Sequence, residues 1–136
     1  MIKQCSVLIR NEQGSVYDVT KILAEAGIDL RSMMIADTAD YGVMRIIADE
    51  GTEKAAALLR EAGYTAKVKD VVAAAVPDRV GGLAGMLRIL DENGINMEYM
   101  YSMITGSSSE AYMVMRVNDN EKTEAVLKAG NIRLIS

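Results

Sequence analysis

Residues 14–33 read GSVYDVTKILAEAGIDLRSM, and 67 positions further on residues 81–100 read GGLAGMLRILDENGINMEYM. Seven of the twenty aligned positions are identical: Gly14/Gly81, Ile22/Ile89, Leu23/Leu90, Glu25/Glu92, Gly27/Gly94, Ile28/Ile95 and Met33/Met100. Roughly one or two would match between unrelated segments of ordinary composition. Val16/Leu83, Val19/Met86, Lys21/Arg88, Asp29/Asn96 and Leu30/Met97 are conservative pairs, and YGVMRI from Tyr41 repeats as YMVMRV from Tyr112. The offset of that last match is 71, the longer polar turn TGSSSE of the second copy absorbing the difference. The chain is a tandem duplication, and whatever one copy folds into the other repeats.

Within each copy the apolar spacing separates helices from strands. Val16, Val19, Thr20 and Leu23 recur at i, i+3, i+4, i+7, as do Leu83, Met86, Leu87 and Leu90, which predicts a helix that stops at a left-handed glycine, Gly27 or Gly94. Cys5, Val7 and Ile9 alternate with Ser6 and Arg10 ahead of the first helix, and Val72, Ala74 and Val76 lie on a more apolar strand ending at Pro77, the single proline. Further strands are expected near residues 28–36 and 95–104, with hairpin partners near 41–48 and 111–117. A second helix, 52–62 before Gly63 or 121–129 before Gly130, then leads to a closing strand. Ser15-x-x-Asp18 reads as a capping box.

The order β-α-β-β-α-β, met twice, is the ferredoxin-like plan of the α+β class, with two helices on one face of an antiparallel sheet and the other face open. We assign residues 1–70 to one unit and 71–136 to the other. Ala66 to Lys69 runs into the apolar segment 71–76 without a linker, so the units should join strand into strand. A unit of about 65 residues buries a small fraction of its surface, which predicts association of the copies and a homodimer of chains through edges or open faces.

The 136 residues include no histidine and one cysteine, which removes the usual general base, a His or Cys metal cage and an intrachain disulfide. No nucleophile and base pair, Walker loop or dinucleotide fingerprint occurs, and Gly81-Gly82-x-x-Gly85 has no phosphate-binding spacing, so neither an enzyme nor a cofactor is expected. The net charge of −4, with neither Phe nor Trp, argues against nucleic acid and anionic lipid. The longest apolar run, 71–76, is too short to span a bilayer, and the N-terminal ten residues lack a secretory core, which predicts a cytoplasmic protein with a reduced Cys5 buried in its strand.

Asn11-Glu-Gln-Gly14 precedes the first helix and Asp78-Arg-Val-Gly81 its counterpart, followed by Gly27-Ile28-Asp29-Leu30 and Gly94-Ile95-Asn96-Met97. The pattern resembles the ACT domain, a small-molecule-sensing module attached to many enzymes of amino-acid metabolism, and the resemblance covers the chain twice. It implies a non-catalytic, allosteric regulator that binds an amino acid at ACT interfaces near the loop between the first strand and first helix. Alternatives are a regulatory subunit of a separate metabolic enzyme, like the small subunit of acetolactate synthase, or a ligand-free oligomerisation scaffold.

Carried over by position, Asn11, Gly14, Asp29 and Leu30 mark one candidate site, and Asp78, Gly81, Gly82, Asn96 and Met97 the other. Each contains one acid and one amide with positions exchanged, a countercharge for one ammonium, while helix N-terminal amides suit a carboxylate. The second copy lies closer to the family pattern, because Asp29 stands where Asn is usual. Asn or Asp followed three positions later by Gly is also expected at any strand-to-helix turn. Arg45 and Arg116 read as solvated sheet charges, and the methionines, Met33, Met34, Met97, Met100 and Met103 among them, mostly as core fillers.

Overall fold

The computed structural model describes residues 1–37, 39–104 and 106–136. In chain order the elements are β1 (Ile2–Arg10), α1 (Ser15–Glu25), β2 (Leu30–Asp37), β3 (Tyr41–Ala48), α2 (Thr52–Glu61), β4 (Ala66–Pro77), α3 (Gly82–Glu92), β5 (Met97–Met103), β6 (Glu110–Val117), α4 (Asn120–Ala129) and β7 (Arg133–Ile135). This is β-α-β-β-α-β twice over, and α1 and α3 begin and end 67 residues apart, as the duplication demands. The turn at residues 105–110 begins with Thr105, which lies outside the described residues.

Two compact units divide within β4, one formed by Lys3–Lys69 and the other by Asp70–Ser136 with Met1–Ile2. In the Lys3–Lys69 unit the strand order is β2-β3-β1-β4, with β1 and β2 antiparallel to β3. The Leu8 amide donates to the Thr65 carbonyl at 3.0 Å where the chain enters β4. Cys5, Val7 and Ile9 of β1 face Val19 and Leu23 of α1 and Ala55, Ala56 and Leu59 of α2. Leu23 and Leu59 are wholly buried, each removal from water contributing about 1.5–3 kcal/mol. The Asp70–Ser136 unit has the order β5-β6-β4-β7, and Val72, Ala74, Val76, Met86, Leu90, Met115 and Leu127 form its core.

Val71 to Val76 of β4 are all buried. On the face of the Lys3–Lys69 sheet turned away from the helices, Leu8 of β1 is 44 % exposed and Arg10 is exposed as well. Several expectations change. The Ser15/Asp18 capping box does not form: Ser15 is the first residue inside α1, the N-cap is Gly14 at φ 89°, and no side chain caps the helix. Gly81 repeats this at φ 84°, a left-handed conformation that a side chain would oppose. Gly27, Gly63 and Gly94 take positive φ after their helices, but after α4 Asn131 does so and Gly130 does not. Gly130 is instead packed under Ile89 of α3. Met44, Met86 and Met115 are core residues and Met97 and Met100 pack against the core of their unit, whereas Met33 is 43 % exposed and Met34 and Met103 are half-buried. Arg116 pairs with Glu98 at 3.1 Å rather than standing in solvent alone.

Candidate functional site

The end of β1 and the start of α1 form a tight corner. The Asn11 amide donates to the Asp40 carbonyl at 2.9 Å and its Nδ2 reaches the Ala39 carbonyl at 3.4 Å, tying the corner to the β2–β3 turn. The Glu12 amide donates to the Arg10 carbonyl at 3.0 Å, the Ser15 amide to the Glu12 carbonyl at 3.3 Å, and the Asp18 amide closes the first helical turn on Gly14 at 2.9 Å. Gly14 supplies no side chain, and no side-chain hydrogen bond caps the first turn of α1, the positive end of the helix dipole. Arg10 lies over the Tyr41 ring at 5.8 Å, a position on the sheet face opposite Ile9.

Beside this corner, inside the Lys3–Lys69 unit, is a cavity of about 240 Å³ lined by Ile9, Arg10, Asn11, Glu12, Ser15, Val16, Ile35 and Gly42. Its volume lies between an apolar cavity of about 150 Å³ that holds benzene and the roughly 300 Å³ of the smallest drug-sized pockets. Gly42 keeps it open: a Cβ there would stand 3.5 Å from Ile35 and 3.7 Å from Ile9. Asn11 was anticipated here and Gly14 adjoins it. Ile9, Arg10, Glu12, Ile35 and Gly42 were not, because they come from three strands and a loop that only folding brings together.

The equivalent corner of the other unit has the same turn: Asp78 donates to Ser109 at 2.9 Å, Arg79 to Pro77 at 2.9 Å, and Gly82 to Arg79 at 3.0 Å. Gly82 is pressed against the end of β4, where a Cβ would overlap the Pro77 carbonyl oxygen and lie 3.2 Å from its carbon.

The proposed acid–amide pairs do not meet within a unit. Asn11 follows Arg10, which is opposite Tyr41, whereas Asp29 precedes Leu30, which is opposite Ala48. Seven residue steps along β3 separate these ends, about 23 Å at 3.3 Å per residue. Asp78 and Asn96 are parted in the same way, since Pro77 is opposite Glu110 and Met97 opposite Val117. Leu30 and Met97 go with Asp29 and Asn96. At that far end Asn96 exchanges hydrogen bonds with Asn118, accepting at 3.2 Å and donating to Oδ1 at 3.0 Å. The Asp29 carbonyl accepts from Asp49 at 3.4 Å. Arg31 holds Asp49 at 2.8 Å, and that hydrogen bond and charge draw the Asp49 carboxyl below its ordinary range.

Among the described residues no group of three or more acidic, Cys or His side chains is placed to hold a metal ion. No described helix is long and apolar enough to cross a membrane. The ACT domain-pair family model matches residues 1–136. The chain belongs to the ACT domain-pair family. No curated protein matches it. This ACT pair is similar to the solved structure of protein BT0572 from Bacteroides thetaiotaomicron, at 33 % identity over 98 % of this chain and 91 % of that one, with a TM-score of 0.90. It shares its fold with the ligand-free regulatory subunit of aspartate kinase from Thermus thermophilus (18 % identity, 95 % and 90 % coverage, TM-score 0.71). The corresponding Thermus flavus subunit is similar at 18 % identity, with the same coverage and a TM-score of 0.67.

Proposed function

We propose that this ACT pair is a non-catalytic regulator of amino-acid metabolism that binds an amino acid at the β1–α1 corner. The observation that carries the reading is the cavity of about 240 Å³ beside Asn11 and Gly14. It combines an apolar floor with backbone amides and polar side chains suited to a zwitterion. The family's role as a small-molecule sensor supports the same reading.

Asp29 and Asn96 lie too far along the strands to reach the corner of their own unit, and we place them at a corner supplied by a second copy of the chain. Antiparallel addition at an edge brings the end of one strand against the start of its neighbour. Pairing of the β2 edge with a second copy would thus set Asp29 and Leu30, or Asn96 and Met97 of β5, beside the partner's corner. That is the geometry we assign to a homodimer acting in the cytoplasm.

A thermal-shift screen of the twenty amino acids tests the reading. A ligand at 100 times its Kd adds about 2.7 kcal/mol to the native state, a rise of several degrees in Tm for a protein of this size. If no amino acid moves Tm at millimolar concentration, amino-acid sensing is refuted. The regulatory-subunit alternative is favoured by the fold shared with aspartate-kinase regulatory subunits, and co-purification with an enzyme from the source cell distinguishes it.

A further inference from the structure

We propose that the duplicated corners have divided their roles: the corner of the Lys3–Lys69 unit takes one α-amino acid with an apolar side chain per chain, and the corner of the Asp70–Ser136 unit is closed. The proposal rests on the amino-acid reading above and adds the number of sites, their place and the ligand class.

The two corners descend from one sequence but differ at the residue that begins the helix. Ser15 occupies in α1 the place that Gly82 occupies in α3. Ser15 carries a Cβ and an Oγ, half-buried, and lines the cavity. Gly82 is buried and leaves no room for a Cβ, because its backbone sits directly on the Pro77 carbonyl. The gap a ligand would enter between strand end and helix start is therefore filled by the protein's own backbone in the second unit. The flanking chemistry has diverged as well. Arg10, Asn11 and Glu12 are replaced by Pro77, Asp78 and Arg79, which removes the amide and exchanges the sign of the third side chain.

The lining selects the ligand. Ile9, Val16 and Ile35 give the floor no polar side-chain atom, so a charged side chain placed there would lose its water without a partner. An aliphatic side chain gains by leaving water. The polar groups, Arg10, Asn11, Glu12 and Ser15, all belong to the corner itself, at the end of β1 and the start of α1, where the ligand's ammonium and carboxylate are common to every amino acid. Ile35, 41 % exposed on the edge strand, is the apolar group that a bound side chain would cover.

Calorimetric titration of the full chain with leucine, lysine, aspartate and threonine, after the twenty-amino-acid screen, decides the matter. The expected result is one site per chain that prefers leucine by at least tenfold. Gly42→Val projects a β-branched side chain between Ile9 and Ile35 in a strand that tolerates it, and should abolish binding. Should Gly42→Val fold poorly, Ile35→Ala keeps the test, with a roughly tenfold loss of leucine affinity at unchanged Tm. Arg79→Gln, in the second corner, should bind like the unaltered chain. Two sites per chain, binding that survives both first-corner variants, loss of binding in Arg79→Gln, or a preference for lysine, aspartate or threonine would each overturn the division of roles while leaving amino-acid sensing intact. Failure of all twenty amino acids to bind would overturn both.

Discussion

Exchanging Gly82 for alanine and exchanging Gly85 for alanine are the same chemical change three residues apart on α3, and they should move stability in opposite directions. At Gly85 a Cβ would meet nothing within 4 Å, so the change removes backbone freedom from the unfolded chain and favours the helix by about 0.5–1 kcal/mol. At Gly82 a Cβ would overlap the Pro77 carbonyl oxygen. That obstacle is backbone, not the flexible end of a side chain. The helix start must move, and overpacking of this kind costs about 1–3 kcal/mol, more than the helical gain returns. For a unit of this size each kcal/mol shifts Tm by roughly 4–8 °C. Differential scanning calorimetry should show Gly85→Ala melting about 2–8 °C above the unaltered chain and Gly82→Ala, at a mid-range overpacking cost less the helical gain, about 5–10 °C below it. A Gly82→Ala chain as stable as the original would refute the close seating of α3 on β4, and with it the argument that the second corner is closed.

Two pH dependences follow from titratable groups. Burial raises the Cys5 thiol above its ordinary value, opposed in part by the charge of Arg60. The stability it contributes is whole below the ordinary thiol pKa of about 8.5 and is lost as pH rises through the higher folded value. Cys5→Ala should flatten the alkaline limb of a stability–pH curve, and native chain should resist thiol reagents at pH 7 until denatured; rapid labelling of the native chain would contradict the burial. The Asp49 carboxyl is lowered by its hydrogen bond to Arg31 and then by that charge. Its contribution is whole above the ordinary value of 3.8 and falls away as pH drops through the lower folded value. Denaturant titrations of Asp49→Asn and the unaltered chain should therefore differ slightly at neutral pH and converge in acid, and a difference that grows in acid would contradict the pairing.

The duplication, the helix faces and their starts at Gly14 and Gly81 were legible in the sequence because each rests on local rules. Spacing of 3.6 marks Val19 and Leu23, and a turn that must reverse direction within three residues marks its glycine. The pairing of Asn11 with Asp29 failed for a reason equally physical. Helix α1 carries the chain from Asn11 back along the sheet to Asp29, which leaves the two at opposite ends of β3, seven residue steps apart, and only the register shows this. Likewise Ser15 and Asp18 have the spacing of a capping box, but Gly14 takes the capping position and leaves Ser15 inside the helix. Whether a corner is open or closed depended on distances between β1, β2, β3 and α1 in one unit, and between Gly82 and Pro77 in the other. Local sequence determined what elements this chain makes and where they turn. The cavity exists only in the tertiary structure, because its volume is the small difference left where side chains remote in sequence stop short of one another.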